Sequence, residues 1–132
     1  MLKLGNAQSI VSVVTDQVLS PTFTQDLAGM VWRLIEADAE GLFHVTNSGA
    51  CSWHEFAQAI FEIAGVQAEV KPVTTNEMGT GVRRPAYSVL ANDRLDDSGL
   101  GRLRSWREAL RNYLELAGVI PQPTLGVKSA AT

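Results

Sequence analysis

Two four-residue signals, Ser52-Trp53-His54-Glu55 and Ser105-Trp106-Arg107-Glu108, constrain this chain more than any other feature. In each, a serine stands three residues before a glutamate. The serine oxygen can accept the glutamate's backbone N–H while the carboxylate reaches back to the serine N–H, a reciprocal pairing that opens a helix. Behind the first signal, Trp53, Phe56, Ala57, Ile60, Phe61 and Ala64 form an apolar stripe at helical spacing, and Gly65 ends it. Behind the second, Trp106, Ala109, Leu110, Tyr113, Leu114 and Ala117 do the same, and Gly118 closes the helix. A third helix is predicted over about 25–37 from Phe23, Leu27, Met30, Val31, Leu34 and Ile35, with Thr24 as N-cap and Asp26 in the first turn.

Between these helices lie short strand-like pieces. Segment 8–15 is β-branched and reads as a strand, and 16–22 reads as a loop because Pro21 biases Ser20 toward an extended conformation. Leu42-Phe43-His44-Val45-Thr46 is a nearly continuous apolar run, predicted to be a strand covered on both faces as in a parallel sheet. Residues 68–73 read as an edge strand, since Pro72 cannot donate to a ladder. Thr74–Glu77 can cap a single turn, 79–85 is an irregular loop, 87–90 is extended, and Asn92 can cap a turn running to Asp97. The fold class is therefore α/β, three main helices with a few short strands. At 132 residues the length suits one domain, and the 45% apolar content supplies a core. Residues 1–117 are expected to form the domain and 118–132 a flexible tail.

Charge and motifs narrow the chemistry. Fourteen acids against eleven bases give a net charge of −3, which argues against nucleic-acid binding. No apolar run approaches the ~20 residues of a membrane span, and no signal peptide precedes the domain, so a cytoplasmic protein is expected. Cys51 is the single cysteine, so no disulfide within the chain is expected. A helix start beside it could lower its pKa, although a buried or incidental thiol is the plainer reading. His44 and His54 lie on different elements, and no metal site is expected. No glycine-rich fingerprint for a dinucleotide follows a strand, and there is no P-loop.

Arg83-Arg84-Pro85 places two guanidiniums on one loop. They can grip a pyrophosphate through charge-assisted hydrogen bonds, or they can belong to a solvated loop with one arginine in an ion pair. Arg102, Arg104, Arg107 and Arg111 lie near Asp93, Asp96 and Asp97 and read as a salt-bridged face. Gln17 and Ser20-Pro21-Thr22 lie between a strand end and a helix start, where α/β folds favour ligands, though Pro21 and Thr22 can equally serve only the turn. Trp53 can pack under its helix or stack on a base or sugar.

Several motifs then coincide in order. Asp16-Gln17-Val18-Leu19-Ser20-Pro21-Thr22 with Asp26-Leu27-Ala28, Gly41-Leu42-Phe43-His44 through Ser48-Gly49 with Ser52-Trp53-His54-Glu55-Phe56-Ala57, Arg83-Arg84-Pro85-Ala86-Tyr87-Ser88 with Leu90, and Trp106-Arg107 with Leu110 resemble segments of the dTDP-4-dehydrorhamnose reductases. The likeness spans about residues 1–116. One departure is Leu19, where that family usually carries glycine.

The resemblance implies an extended short-chain dehydrogenase that reduces dTDP-4-dehydro-L-rhamnose to dTDP-L-rhamnose with NADPH or NADH. It implies that this chain is similar to the C-terminal sugar-nucleotide-binding part alone, without the Rossmann core. Met1-Leu2-Lys3-Leu4 resembles the end of an internal helix, so the chain is expected to begin mid-domain. The family's Tyr-x-x-x-Lys pair has no counterpart, because Tyr87 is followed four residues on by Ala91 and Tyr113 by Ala117. No catalytic or cofactor-binding residue is assigned, and the isolated chain is expected to be inactive. Arg83 and Arg84 are implied contacts to the nucleotide sugar or its pyrophosphate, and Gln17, Pro21 and Thr22 are implied on the sugar side. A Rossmann-type partner chain and self-association are expected, because strand 42–46 would lack its sheet. The alternative is a non-catalytic nucleotide-sugar-binding or protein-interaction domain.

Overall fold

The structure is a computed structural model, and it describes residues 1–79, 81–82 and 84–122. In chain order the elements are α1 (Leu2–Ala7), β1 (Ile10–Val14), β2 (Val18–Leu19), α2 (Thr24–Glu36), β3 (Asn47–Ser48), β4 (Cys51–Ser52), α3 (Trp53–Ala64), β5 (Glu69–Val73), α4 (Thr75–Met78), α5 (Asp93–Asp97), β6 (Leu103–Ser105) and α6 (Trp106–Leu116). The three helices read from the sequence are the three long ones. The expected tail beyond residue 122 lies outside the described residues, while Ile120 packs on the core.

Both predicted capping boxes form. The Ser52 N–H donates to Glu55 Oε2 at 2.7 Å and the Glu55 N–H donates to Ser52 Oγ at 3.1 Å. Ser105 and Glu108 repeat the exchange at 3.0 and 3.3 Å. Thr74 and Glu77 close a third box on α4. Gly65 ends α3 with φ +68°, a left-handed conformation that glycine adopts without a Cβ penalty.

β1 and β5 pair in parallel with Ile10 opposite Glu69 and Val14 opposite Val73. Period-two alternation along β1 turns Val11 and Val13 inward. They meet Ala57, Ile60 and Phe61 of α3, and Leu110 and Leu114 of α6 complete the core. Pro72 fits β5 because that strand pairs on one side only among the described residues. Two smaller pairs, β2 with β4 antiparallel and β3 with β6 parallel, carry the remaining strands.

Four expectations are corrected. Residues 16–22 are not all loop, since β2 lies within them. Residues 42–46 form no strand. Their backbone is held by side chains of α5 and its approach instead of a ladder: Arg94 donates to the carbonyls of Glu40 at 2.7 Å and Leu42 at 3.2 Å, and Asn92 Oδ1 accepts the Thr46 N–H at 3.2 Å. Gly41, at φ +92°, permits this approach, because a Cβ there would meet the Arg94 guanidinium at 2.4 Å. Asn92 thus spends its side chain on Thr46 and makes no side-chain cap on α5. Finally, Thr24 is not the cap of α2. The cap position is Phe23, whose N–H donates to Asn47 Oδ1 at 2.8 Å.

Asn47 is fully buried. Its Nδ2 donates to Asp26 at 2.8 Å and to the Arg104 carbonyl at 3.1 Å. Asp26 also takes both Nε and Nη2 of Arg104, at 2.9 and 2.8 Å, and this guanidinium hydrogen bond is the main cause holding the Asp26 carboxyl below its ordinary pKa. Three of the four arginines of the basic group are therefore paired, with partners partly different from those expected: Arg102 with Asp96, Arg104 with Asp26 and Arg107 with Glu62.

The α2 stripe is only partly covered. Met30 is buried, but Val31, Ile35 and the neighbouring Trp32 are 45%, 62% and 62% exposed.

Replacing Asn47 by leucine is expected to cost about 2–4 kcal/mol, because a buried N–H and a carbonyl lose their partner together. Urea unfolding checks this, with Arg102→Ala as comparison, since the exposed Arg102–Asp96 pair is expected to contribute little. Equal midpoints for Asn47→Leu and the unsubstituted chain would remove Asn47 from its central role.

Candidate functional site

The site is built where β2 meets the loop after α4. The Val18 N–H donates to the Ala86 carbonyl at 2.8 Å, and the Ser88 N–H returns to the Val18 carbonyl at 2.9 Å. The Ser88 hydroxyl reinforces the second contact at 3.2 Å. On the other edge, β2 pairs with β4, and the Gln17 carbonyl accepts the Trp53 N–H at 3.3 Å. One short strand thus holds the start of α3 on one side and the arginine loop on the other.

Two adjoining clefts result, of about 310 and 230 Å³, and Gln17, Trp53 and Arg84 line both. The first is completed by the end of β1, with Met78 and Val82, and the second by Val18, Leu19, Pro85 and Ser88. Gln17 is buried and its Nε2 donates to Thr75 Oγ1 at 2.9 Å. Arg84 is exposed at the rim. Trp53 is half-buried, edge-on to Phe56 with ring centroids 6.1 Å apart, so it packs and walls the cleft at once.

The five residues singled out from the sequence do not converge as one group. Gln17 and Arg84 come together. Pro21 and Thr22 line a separate apolar pocket of about 190 Å³ with Phe23, Phe56, Trp106 and Tyr113. The Thr22 hydroxyl is turned to the Ser20 carbonyl at 3.1 Å, in keeping with a turn role. Arg83 lies outside the described residues. The residues behind Gln17, Asp16 and Thr75, were not picked out; they stand 59 apart in sequence, and no local pattern joins them.

Other reactive groups are engaged elsewhere. Cys51 is buried, and desolvation, followed by the nearby Glu55 charge, pushes its thiol up to about 12, so it is a protonated packing residue. His44 and His54 each hydrogen-bond a carbonyl, of Ala91 at 3.2 Å and Val70 at 3.0 Å. Among the described residues no three His, Cys, Asp or Glu side chains gather as a metal would require.

A dinucleotide diphosphate seeks free N–H groups at a helix N-terminus. On α3 and α6 the capping serine accepts one first-turn N–H, from Glu55 and Glu108, and the glutamate carboxylate stands at the helix start. These two carboxylates would repel a phosphate.

Comparison with known proteins places this arrangement. The RmlD substrate binding domain family model matches residues 1–118. A spore coat polysaccharide biosynthesis protein of Bacillus subtilis, SpsK, is 49% identical over 115 residues, covering 87% of this chain and 40% of that protein. A dTDP-4-dehydrorhamnose reductase of Mycolicibacterium smegmatis is 37% identical over 128 residues, covering 96% of this chain and 38% of that protein. Among solved structures, the dTDP-4-dehydrorhamnose reductase of Clostridium acetobutylicum superimposes with a TM-score of 0.85 at 40% identity, covering 89% of this chain and 42% of that one. The Bacillus anthracis reductase, solved in complex with NADP, gives 0.81 at 40% identity, covering 86% of this chain and 40% of that one. The chain thus spans about 40% of the length of these relatives. It belongs to the RmlD substrate-binding domain family.

Proposed function

We propose that this chain is the part of a dTDP-4-dehydrorhamnose reductase that grasps the dTDP-sugar. The observation that supports this most is the convergence of Gln17, Trp53 and Arg84 on two adjoining clefts. A guanidinium suits the diphosphate, an amide suits sugar hydroxyls, and an indole face suits a ring. Arg83 joins Arg84 as a second phosphate contact. The binding unit is residues 1–117.

Reduction of a 4-keto sugar to an alcohol needs a hydride donor and a proton donor. In this proposal NADPH or NADH, with the tyrosine that protonates the oxygen, belongs to the portion of the relatives that this chain does not span. Neither Tyr87 nor Tyr113 has a lysine four residues on to lower its pKa. The chain's own work is to bind and orient. A Rossmann-type partner would cover the strand-like segment 42–46, and without one the exposed α2 face and Leu42, 74% exposed, favour self-association.

Calorimetric titration with dTDP-L-rhamnose tests the binding role. Arg84→Ala is expected to weaken binding by about 1.5–3 kcal/mol, the range for a hydrogen bond to a charged group. Unchanged affinity would return Arg84 to a solvated loop. The chain alone is expected to leave NADPH unoxidised in the presence of a dTDP-4-keto sugar, and turnover by the pure chain would refute the division of labour. Sedimentation is expected to show association rising with concentration; a clean monomer throughout would argue that the α2 face is stable in water.

A further inference from the structure

Asp16 and Thr75 line neither cleft, yet they determine which end of the Gln17 amide faces it. The Asp16 carboxylate accepts the Thr75 N–H, 3.0 Å from each oxygen, and the Thr75 hydroxyl at 2.7 Å. These bonds, the backbone one first, hold its carboxyl below the ordinary pKa, so near neutral pH it is ionised and only accepts. The single hydroxyl proton of Thr75 is therefore committed to Asp16. Toward Gln17 the hydroxyl offers only a lone pair, and the atom 2.9 Å away must be the donor, Nε2. Amide orientation is ordinarily an assignment from the network; here a carboxylate at the end of the relay dictates it. Among the described residues no group hydrogen-bonds Gln17 Oε1, and no buried side-chain N or O is left unpaired, so this oxygen keeps access to solvent in a residue that lines both clefts.

We propose that Asp16 and Thr75 are positioning residues that lock Gln17 with its carbonyl oxygen toward the ligand, making this corner of the cleft an acceptor that selects a sugar hydroxyl over a carbonyl oxygen. A carbonyl oxygen carries lone pairs alone and is repelled by Oε1, whereas a hydroxyl donates to it. Beside Arg84, which supplies donors for phosphate, the site then has a donor half and an acceptor half. This rests on the nucleotide-sugar reading above.

The test compares Thr75→Val, isosteric without the hydroxyl, with Thr75→Ser, which keeps it. Calorimetry with dTDP-L-rhamnose and with dTDP as probes is expected to show Thr75→Val weakening the sugar nucleotide about five-fold, the size of one hydrogen bond, with dTDP little changed. Thr75→Ser is expected to restore the sugar nucleotide's affinity. Nuclear magnetic resonance of the Gln17 side-chain amide reads the lock without ligand: slow exchange of one proton in the unsubstituted chain and Thr75→Ser, fast exchange of both in Thr75→Val. Equal loss for dTDP and dTDP-L-rhamnose, unchanged affinity in Thr75→Val, or fast exchange of both protons in the unsubstituted chain overturns the proposal while leaving the binding role standing. An unsubstituted chain that binds neither probe overturns the binding role and this inference with it.

Discussion

The structure depends on one buried amide. Asn47 carries an acceptor to the Phe23 N–H and donors to Asp26 and the Arg104 carbonyl, so three segments distant in sequence meet at a side chain with no exposure to water. An unpaired polar group in that position would cost more than a hydrogen bond contributes on balance, and this asymmetry makes the arrangement selective. The Asp26–Arg104 pair at its edge adds two charge-assisted bonds and orients the carboxylate that Asn47 uses. Through these contacts α2, β3 and β6 take fixed places although each sheet has two strands among the described residues.

The cleft inherits its shape from a similar economy. β2 has two residues, too few to be stable alone, yet it bonds to β4 on one edge and to the 86–88 loop on the other. Gln17 and Arg84, 67 positions apart, are brought to the same clefts by those backbone bonds. The capping boxes that start α3 and α6 also bear on function, because they fill helix termini that would otherwise attract phosphate.

Segment 42–46 illustrates the limit of reading strands from apolar runs. Its composition matches a strand buried on both faces, but a strand is a relation between two backbones. Among the described residues Arg94 and Asn92 satisfy part of this segment's backbone, and Leu42 remains exposed. The α2 stripe shows the same limit, since helical periodicity marks Val31 and Ile35 as a face to be covered without saying by what.

Local signals were sufficient wherever the governing interaction spans three or four residues. The capping boxes, the extents of the long helices, the Gly65 stop and the inward alternation of β1 were all legible, because each is decided by neighbours along the chain. Arg84 and Gln17 could be named as candidates from residue chemistry and loop position. Their convergence could not, nor could the separation of Pro21 and Thr22 into another pocket, nor the Asp16–Thr75 relay behind Gln17. The Gln17–Thr75 and Asp16–Thr75 contacts join residues 58 and 59 positions apart, and Asn47 reaches Phe23 and Arg104 across 24 and 57. Only the packed chain decides them, because a buried hydrogen bond is specified by which partners the completed core leaves within reach and not by the sequence on either side.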